Sequence, residues 1–248
     1  MTLQEFFDRH PRAALGLSGG VDSAYLLYAG RKAGADIRPY FIKTAFQPAF
    51  ELDDARRLCD ALGAALTVIE LDVLACEAVR QNPADRCYHC KKLLFGALAK
   101  RAEADGLSLL IDGTNASDDA CDRPGMRALA ELSVRSPLRE CGLTKPEIRR
   151  LSREAGLFTA DKPAYACLAT RVPAGQALEA ELLGRIEQAE QALFSLGFSD
   201  LRVRVFHGAA RIQLPKAQLC RAAEEAAAVR AAIEPYFATV LLDLKERE

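Results

Sequence analysis

Ser18, Gly19, Gly20, Val21, Asp22 and Ser23 put hydroxyl donors, two glycines and a carboxylate into one short run. Glycine lets a backbone come close to an anion, and a helix starting at the same point aims its unpaired N–H groups there. The run therefore makes a phosphate cradle. It lacks the Gly-Lys-Ser/Thr ending that serves γ-phosphoryl transfer. Asp22 cannot help to bind bare phosphate; it makes sense if Mg²⁺ bridges the two negative partners, the other reading being a Gly-rich strand-to-helix turn with Asp as a cap. Asp112-Gly113-Thr114-Asn115, with Asp118 and Asp119 beyond, is a second polar loop whose composition is also that of an ordinary turn.

The second kind of chemistry is that of sulfur. The chain has 8 cysteines. Cys59, Cys76 and Cys220 have helical or strand-edge apolar neighbours, where a thiol acts as a small hydrophobe, while Cys121 and Cys141 fall in loops. Cys87 and Cys90 form a Cys-x-x-Cys pair among Arg86, His89, Lys91 and Lys92, and such cations stabilise thiolates. That pair alone fits a redox couple, half a zinc site, or a first helical turn with two buried thiols. Cys167 lies on a loop between Pro163 and Pro173, with Arg171 available to lower its pKa. In Leu201-Arg-Val-Arg-Val-Phe206 the strand period sends Arg202 and Arg204 to one face, where two guanidiniums can form a phosphate fork or a solvated strand face.

These residues need a scaffold, and the hydropathy pattern supplies one. Apolar strand-like runs at 13–17, 37–43, 65–71 and 107–111 alternate with amphipathic helical stretches at 23–32, 51–62 and 90–104. That alternation predicts an α/β fold with a parallel sheet covered on both faces. Thr144-Lys-Pro-Glu147 reads as a capping box that opens a helix to about Ala155. After Gly175 the pattern becomes a helix over 178–196, strands over 201–206 and 210–214, an Ala-rich helix over 216–233 and a strand near Val240. We therefore expect a domain over 1–171 and a smaller α+β domain over 172–248. With 248 residues, 50% hydrophobic and 27% charged, the chain has ordinary globular composition. Its formal net charge of -1 gives no global attraction to nucleic acid. No stretch is long and apolar enough for a membrane span, so a soluble cytoplasmic protein is expected.

SGGVDS after an amino-terminal strand resembles the signature of the PP-loop ATP pyrophosphatases, whose adenine nucleotide alpha hydrolase-like domain releases pyrophosphate and leaves AMP on an oxygen of the substrate. The runs NPADRCYHCKKLLF, RPGMRALAELSVRSPL, TKPEIRRLSREAGL and ACLATRVPAG further resemble the LarE family of ATP-dependent sulfurtransferases. The resemblance implies ATP and Mg²⁺ at Ser18, Gly19, Gly20, Asp22 and Ser23, with Thr114 and Arg171 also contacting the nucleotide, and it makes Asp22 and Cys167 catalytic. It implies that Cys87, Cys90 and Cys167 hold a [4Fe-4S] cluster as in the three-cysteine members, and that Glu190, Arg202 and Arg204 meet a mononucleotide substrate, pyridinium biscarboxylic acid mononucleotide. It also implies a sulfide or other sulfur donor and a homo-oligomer. The departures are Gln213, where the family has Glu, and the ending LDLKERE. Other readings are a PP-loop tRNA thiolase, which the lack of a basic domain opposes, an ammonia-dependent ligase like NAD synthase, which has no use for the cysteines, and a nucleotide-sensing iron-sulfur regulator.

Overall fold

A computed structural model of the chain describes residues 1–118 and 124–247; Asp119 and Cys121 lie outside the described residues. The strands are β1 (Arg12–Gly16), β2 (Asp36–Lys43), β3 (Thr67–Glu70), β4 (Leu110–Ile111), β5 (Arg202–Phe206), β6 (Ala209–Gln213) and β7 (Val240–Leu242). The helices are α1 (Leu3–Arg9), α2 (Val21–Lys32), α3 (Ala49–Ala61), α4 (Glu77–Arg80), α5 (Arg86–Ala104), α6 (Pro124–Glu131), α7 (Pro137–Glu140), α8 (Lys145–Glu154), α9 (Ala180–Ser195), α10 (Lys216–Glu224) and α11 (Ala226–Ile233). They fall into two compact units, Met1–Val73 with Asp85–Lys162, and Leu74–Ala84 with Pro163–Glu248. No helix among the described residues is long and apolar enough to cross a membrane.

The first unit is built on a four-stranded sheet in the order β3-β2-β1-β4, all pairs parallel. A parallel strand is buried on both faces, which is why β1 reads as an apolar run rather than an alternating one. Ala13 and Leu15 pack with Leu26, Leu27 and Leu58 on one face. Ala14, pointing the other way, packs with Phe95 and Leu98 on the opposite face. The chain winds outward from β1 through β2 to β3 and then returns to place β4 on the other side of β1. That reversal opens a crevice outside the carboxyl ends of β1 and β4, where such sheets bind ligands. The fold is the α/β architecture expected from the sequence. Helix α5 begins at Arg86, before the expected start at Cys90, so Cys87 and Cys90 both lie on its first turns.

The second unit has a three-stranded sheet in the order β5-β6-β7. His207 and Gly208 join β5 to β6 with φ of 49° and 81°, the left-handed pair that a two-residue hairpin turn needs. Strand β7 then adds parallel to β6. Residues 74–84 belong to this unit through backbone bonds from Leu178 N to Arg80 O (2.7 Å) and from Gly175 N to Asn82 O (2.8 Å). The Ala-rich stretch expected as one helix divides at Glu225 into α10 and α11; nothing in its local composition marks the break.

Candidate active site

The nucleotide loop of the first unit leaves β1 and enters α2 with Gly20 as the helix N-cap. No side chain caps this end, so the first N–H groups of α2 face the crevice. Gly19 sits at φ 73°, and a Cβ there would come 2.8 Å from the Glu51 carbonyl oxygen. Ser18 and Ser23 close the loop on itself. Their hydroxyls lie 3.1 Å apart, the Ser18 N–H donates to Ser23 Oγ at 3.2 Å, and Ser23 Oγ donates to Gly20 O at 3.3 Å.

The loop after β4 buttresses that cradle. A Cβ on Gly113 would lie 2.8 Å from Ser23 N, so only glycine lets this loop rest on the first turn of α2. Asp112 is buried and accepts hydrogen bonds from Thr114 N (3.2 Å), Thr114 Oγ1 (2.5 Å) and Ser136 Oγ (2.6 Å). Thr114 therefore turns its hydroxyl toward Asp112. Asn115 reaches Asp22 instead, with Nδ2 3.4 Å from Oδ1.

Two lysines that the sequence reading did not single out complete the arrangement. Lys145, the first residue of α8, places Nζ 2.5 Å from Asp22 Oδ2. Lys162 donates to Gly19 O at 3.2 Å and pairs with Asp54 at 2.5 Å. The loop thus brings together an uncapped helix start, two ammonium groups and the carboxylates of Asp22 and Asp54, groups of the kind that could hold phosphates and a bridging divalent cation. The one local clue to Lys145 was its place directly after the capping Thr144.

Cys87 is exposed and Cys90 buried on α5, and the Arg86 guanidinium lies 3.6 Å from Cys87 Sγ. Cys167, half-buried in the second unit, is the N-cap of a short 3-10 helix over Leu168–Arg171. Among the described residues no three His, Cys, Asp or Glu side chains are grouped to hold a metal ion.

Around Cys167 the second unit holds a buried charge network. Arg171 and Glu190 form a two-pronged ion pair, Nε to Oε1 at 2.9 Å and Nη2 to Oε2 at 3.1 Å, with side chains 0% and 1% exposed. Glu190 also accepts from Val203 N at 2.8 Å and from the Tyr165 hydroxyl. Arg171 Nη1 donates to the carbonyls of Ala166 (2.6 Å) and Cys167 (3.3 Å), and Thr170 Oγ1 donates to the Cys167 carbonyl at 2.8 Å. The main chain around Cys167 is thereby tied from two sides. Desolvation pulls the Arg171 guanidinium down, but Glu190's hydrogen bonds and charge outweigh it and hold the pKa above its ordinary value. Burial first, then the Glu190 charge, pushes the Tyr165 phenol far up.

Arg202 and Arg204 lie on this side of β5 in different surroundings. Arg202 is buried, donates to the carbonyls of Leu201 and Ala164, and lies 4.7 Å over the Tyr165 ring. Burial and then the Arg171 charge lower its pKa to about 10. Arg204 is half-buried and donates to Gln213 Oε1 (2.6 Å) and Thr170 O (2.5 Å). It lines a cavity of about 540 Å³ together with Thr170, Gln176, Phe206, His207 and Arg211, and Arg202 is not among the lining residues.

A parallel sheet with a glycine-rich cradle at its switch point and a second loop resting on it defines an enzyme of the PP-loop type. No family model matches the chain. The chain is 33% identical over 214 residues, covering 84% of this chain and 76% of the relative, to the pyridinium-3,5-bisthiocarboxylic acid mononucleotide synthase of Lactiplantibacillus plantarum. An uncharacterized protein of Synechocystis sp. is 37% identical over 222 residues, 88% of this chain and 81% of that protein. The tRNA-specific 2-thiouridylase MnmA of Shewanella amazonensis is 24% identical over 188 residues, 61% of this chain and 49% of its own length. The chain belongs to the pyridinium-3,5-bisthiocarboxylic acid mononucleotide synthase (LarE) family, and its role is that of a sulfurtransferase.

Proposed function

We propose that this enzyme uses ATP to adenylate a carboxylate of pyridinium biscarboxylic acid mononucleotide and then transfers sulfur to the activated carbon, in the making of a nickel-pincer cofactor. The observation that carries the reading is the cradle at the β1–α2 turn, with Asp22 facing Asn115 and Lys145. Ser18, Gly19, Gly20 and Ser23 bind the phosphates, and Lys145 and Lys162 balance their charge. Mg²⁺, when bound at Asp22, screens the phosphates from the carboxylate and from the incoming nucleophile. A substrate carboxylate oxygen attacks the α-phosphorus, and the bond from that phosphorus to the bridging oxygen breaks. Pyrophosphate takes the electron pair. Sulfur then attacks the acyl carbon, and AMP leaves.

Residues 1–171 carry the nucleotide chemistry in this reading and residues 172–248 bind the substrate. Arg204 contacts the substrate, while Arg202 and Glu190 support it through the loop that they hold. Arg171 assists at the nucleotide by orienting the Cys167 segment. The enzyme works as a homo-oligomer in the cytoplasm. Cys87, Cys90 and Cys167 are assigned to a [4Fe-4S] cluster, a role that suits three thiolates and leaves one iron open to sulfide. Anaerobic purification with iron and sulfide counts, followed by intact-protein mass spectrometry after turnover, tests the assignment. The expected result is a cluster and an intact Cys167. An iron-free protein that loses about 34 Da at Cys167, the mass of H₂S, removes the cluster from the proposal and makes the thiol itself the donor.

A further inference from the structure

The hairpin of the second unit carries an arrangement that its own stability does not require. Arg204 on β5 and Arg211 on β6 are direct cross-strand partners, so their side chains leave the same face of the sheet side by side. Like charges placed directly opposite each other destabilise a strand pair. Both residues line the cavity of about 540 Å³, and the half-buried Arg204 is held below its ordinary pKa by desolvation first and then by the charges of Arg171 and Arg211.

Their hydrogen bonds are incomplete. Arg204 commits Nε and Nη1 to Gln213 and the Thr170 carbonyl, which fixes the plane of the guanidinium. Among the described residues Arg211 Nε is buried without a hydrogen-bond partner, and its nearest anion is Asp243 Oδ2 at 3.5 Å. Arg211 also lies 5.2 Å over the ring of Phe206, which is 42% exposed at the cavity. The cavity thus joins two adjacent arginines, Thr170 and Gln176 to the exposed Phe206.

We infer that Arg204 and Arg211, rather than Arg202 and Arg204, form the fork that holds the phosphate of a mononucleotide, with Phe206 flanking its ring. Arg202 is 4% exposed, donates to the Leu201 and Ala164 carbonyls and does not line this cavity. Asp243 keeps the anion off the Nε edge of Arg211, leaving the Nη edge to meet it. This inference rests on the reading of residues 172–248 as the substrate side.

Titration of the full chain with nicotinic acid mononucleotide, a phosphorylated pyridine carboxylate, tests it by calorimetry at two salt concentrations. Arg211→Gln is expected to weaken binding roughly tenfold to a hundredfold, the loss of one charge-assisted contact, and to flatten the salt dependence. Arg211→Lys restores part of the affinity, because it keeps the charge and loses the planar fork. A melting curve checks that both variants are folded. Wild-type binding that Arg211→Gln leaves unchanged overturns the fork and leaves the substrate reading standing. A wild-type protein that binds ATP and does not bind this probe overturns both.

Discussion

The nucleotide loop and the Arg171 network are both made of opposed charges, yet they use them differently. At the loop, Asp22 and Lys145 meet with side chains 21% and 33% exposed. In water-accessible surroundings such a pair contributes little to stability and separates at little cost. At the network, Arg171 and Glu190 are sealed from water, and each prong of the pair is matched by further hydrogen bonds to the Cys167 segment or to β5. Breaking one partner there leaves a buried, uncompensated charge. On the proposed reading, the pair that would exchange partners for a ligand stays near solvent, and the pair that holds a loop in place does not.

Asp22→Ala breaks this contrast from the ligand side, with the largest effect on activity. ATP-dependent pyrophosphate release is expected to fall to background while the melting temperature stays near that of the wild type. Pyrophosphate release at the wild-type rate, with ATP and substrate saturating, would remove Asp22 from the metal site.

Glu190→Gln probes the other side. It keeps the shape and removes the charge, and the expected cost is ~3–5 kcal/mol of unfolding free energy, read as a lower denaturant midpoint. An unchanged midpoint would mean that water or another anion reaches Arg171. Because Arg171 also holds the Ala166 and Cys167 carbonyls, the variant should further raise the rate at which iodoacetamide modifies Cys167.

The contrast also explains what could be read in the sequence. The cradle was legible because strand, glycines and helix start are contiguous, and the capping box because its partners lie three residues apart. Lys145 was not recognised as a partner of Asp22, since the pair forms only when α8 packs beside α2, across a separation of 123 residues. The strand period correctly placed Arg202 and Arg204 on one face of β5. Period gives direction alone, so it could not distinguish Arg202, covered by the Ala164–Tyr165 segment, from Arg204 at the cavity. Glu190, which the family resemblance assigns to the substrate, is likewise buried, and helical period gives no sign of its ion pair with Arg171 or its bond from Tyr165.

Alkaline unfolding sharpens the comparison with a smaller effect. Burial, and then Asp60, raise the Cys59 thiol in the first unit from 9.0 to about 11. A raised pKa means that the fold favours the protonated form, so this contribution is complete below pH 9.0 and is lost as pH rises toward about 11. Tyr165 in the second unit follows the same sign but begins only above its ordinary value of 10.0. Stability should therefore fall from about pH 9 upward. Cys59→Ala should flatten the first part of that slope, and Tyr165→Phe the part above pH 10.0. Equal slopes in all three proteins would mean that neither buried group governs the alkaline limb.

The smallest expected effect joins stability to the site at one residue. Thr144 caps α8 in a reciprocal box, its N–H and hydroxyl donating to the Glu147 carboxylate at 2.9 and 2.5 Å. The next residue is Lys145, whose N–H is held by Ser117 Oγ at 2.9 Å and whose ammonium faces Asp22. Thr144→Ala removes the cap hydroxyl and should cost about 1 kcal/mol, with a modest loss of ATP affinity as the first turn of α8 frays. The pH dependence identifies the box as the cause. The Thr144 hydrogen bonds hold the Glu147 carboxyl below its ordinary 4.5. A depressed carboxylate stabilises the fold above that unfolded value, and its contribution is lost as pH falls through the folded value. The difference between wild type and Thr144→Ala should therefore be full at neutral pH and shrink in acid. A difference that persists unchanged well below pH 4.5 would assign the loss to packing of the threonine methyl group and detach Lys145 from the cap.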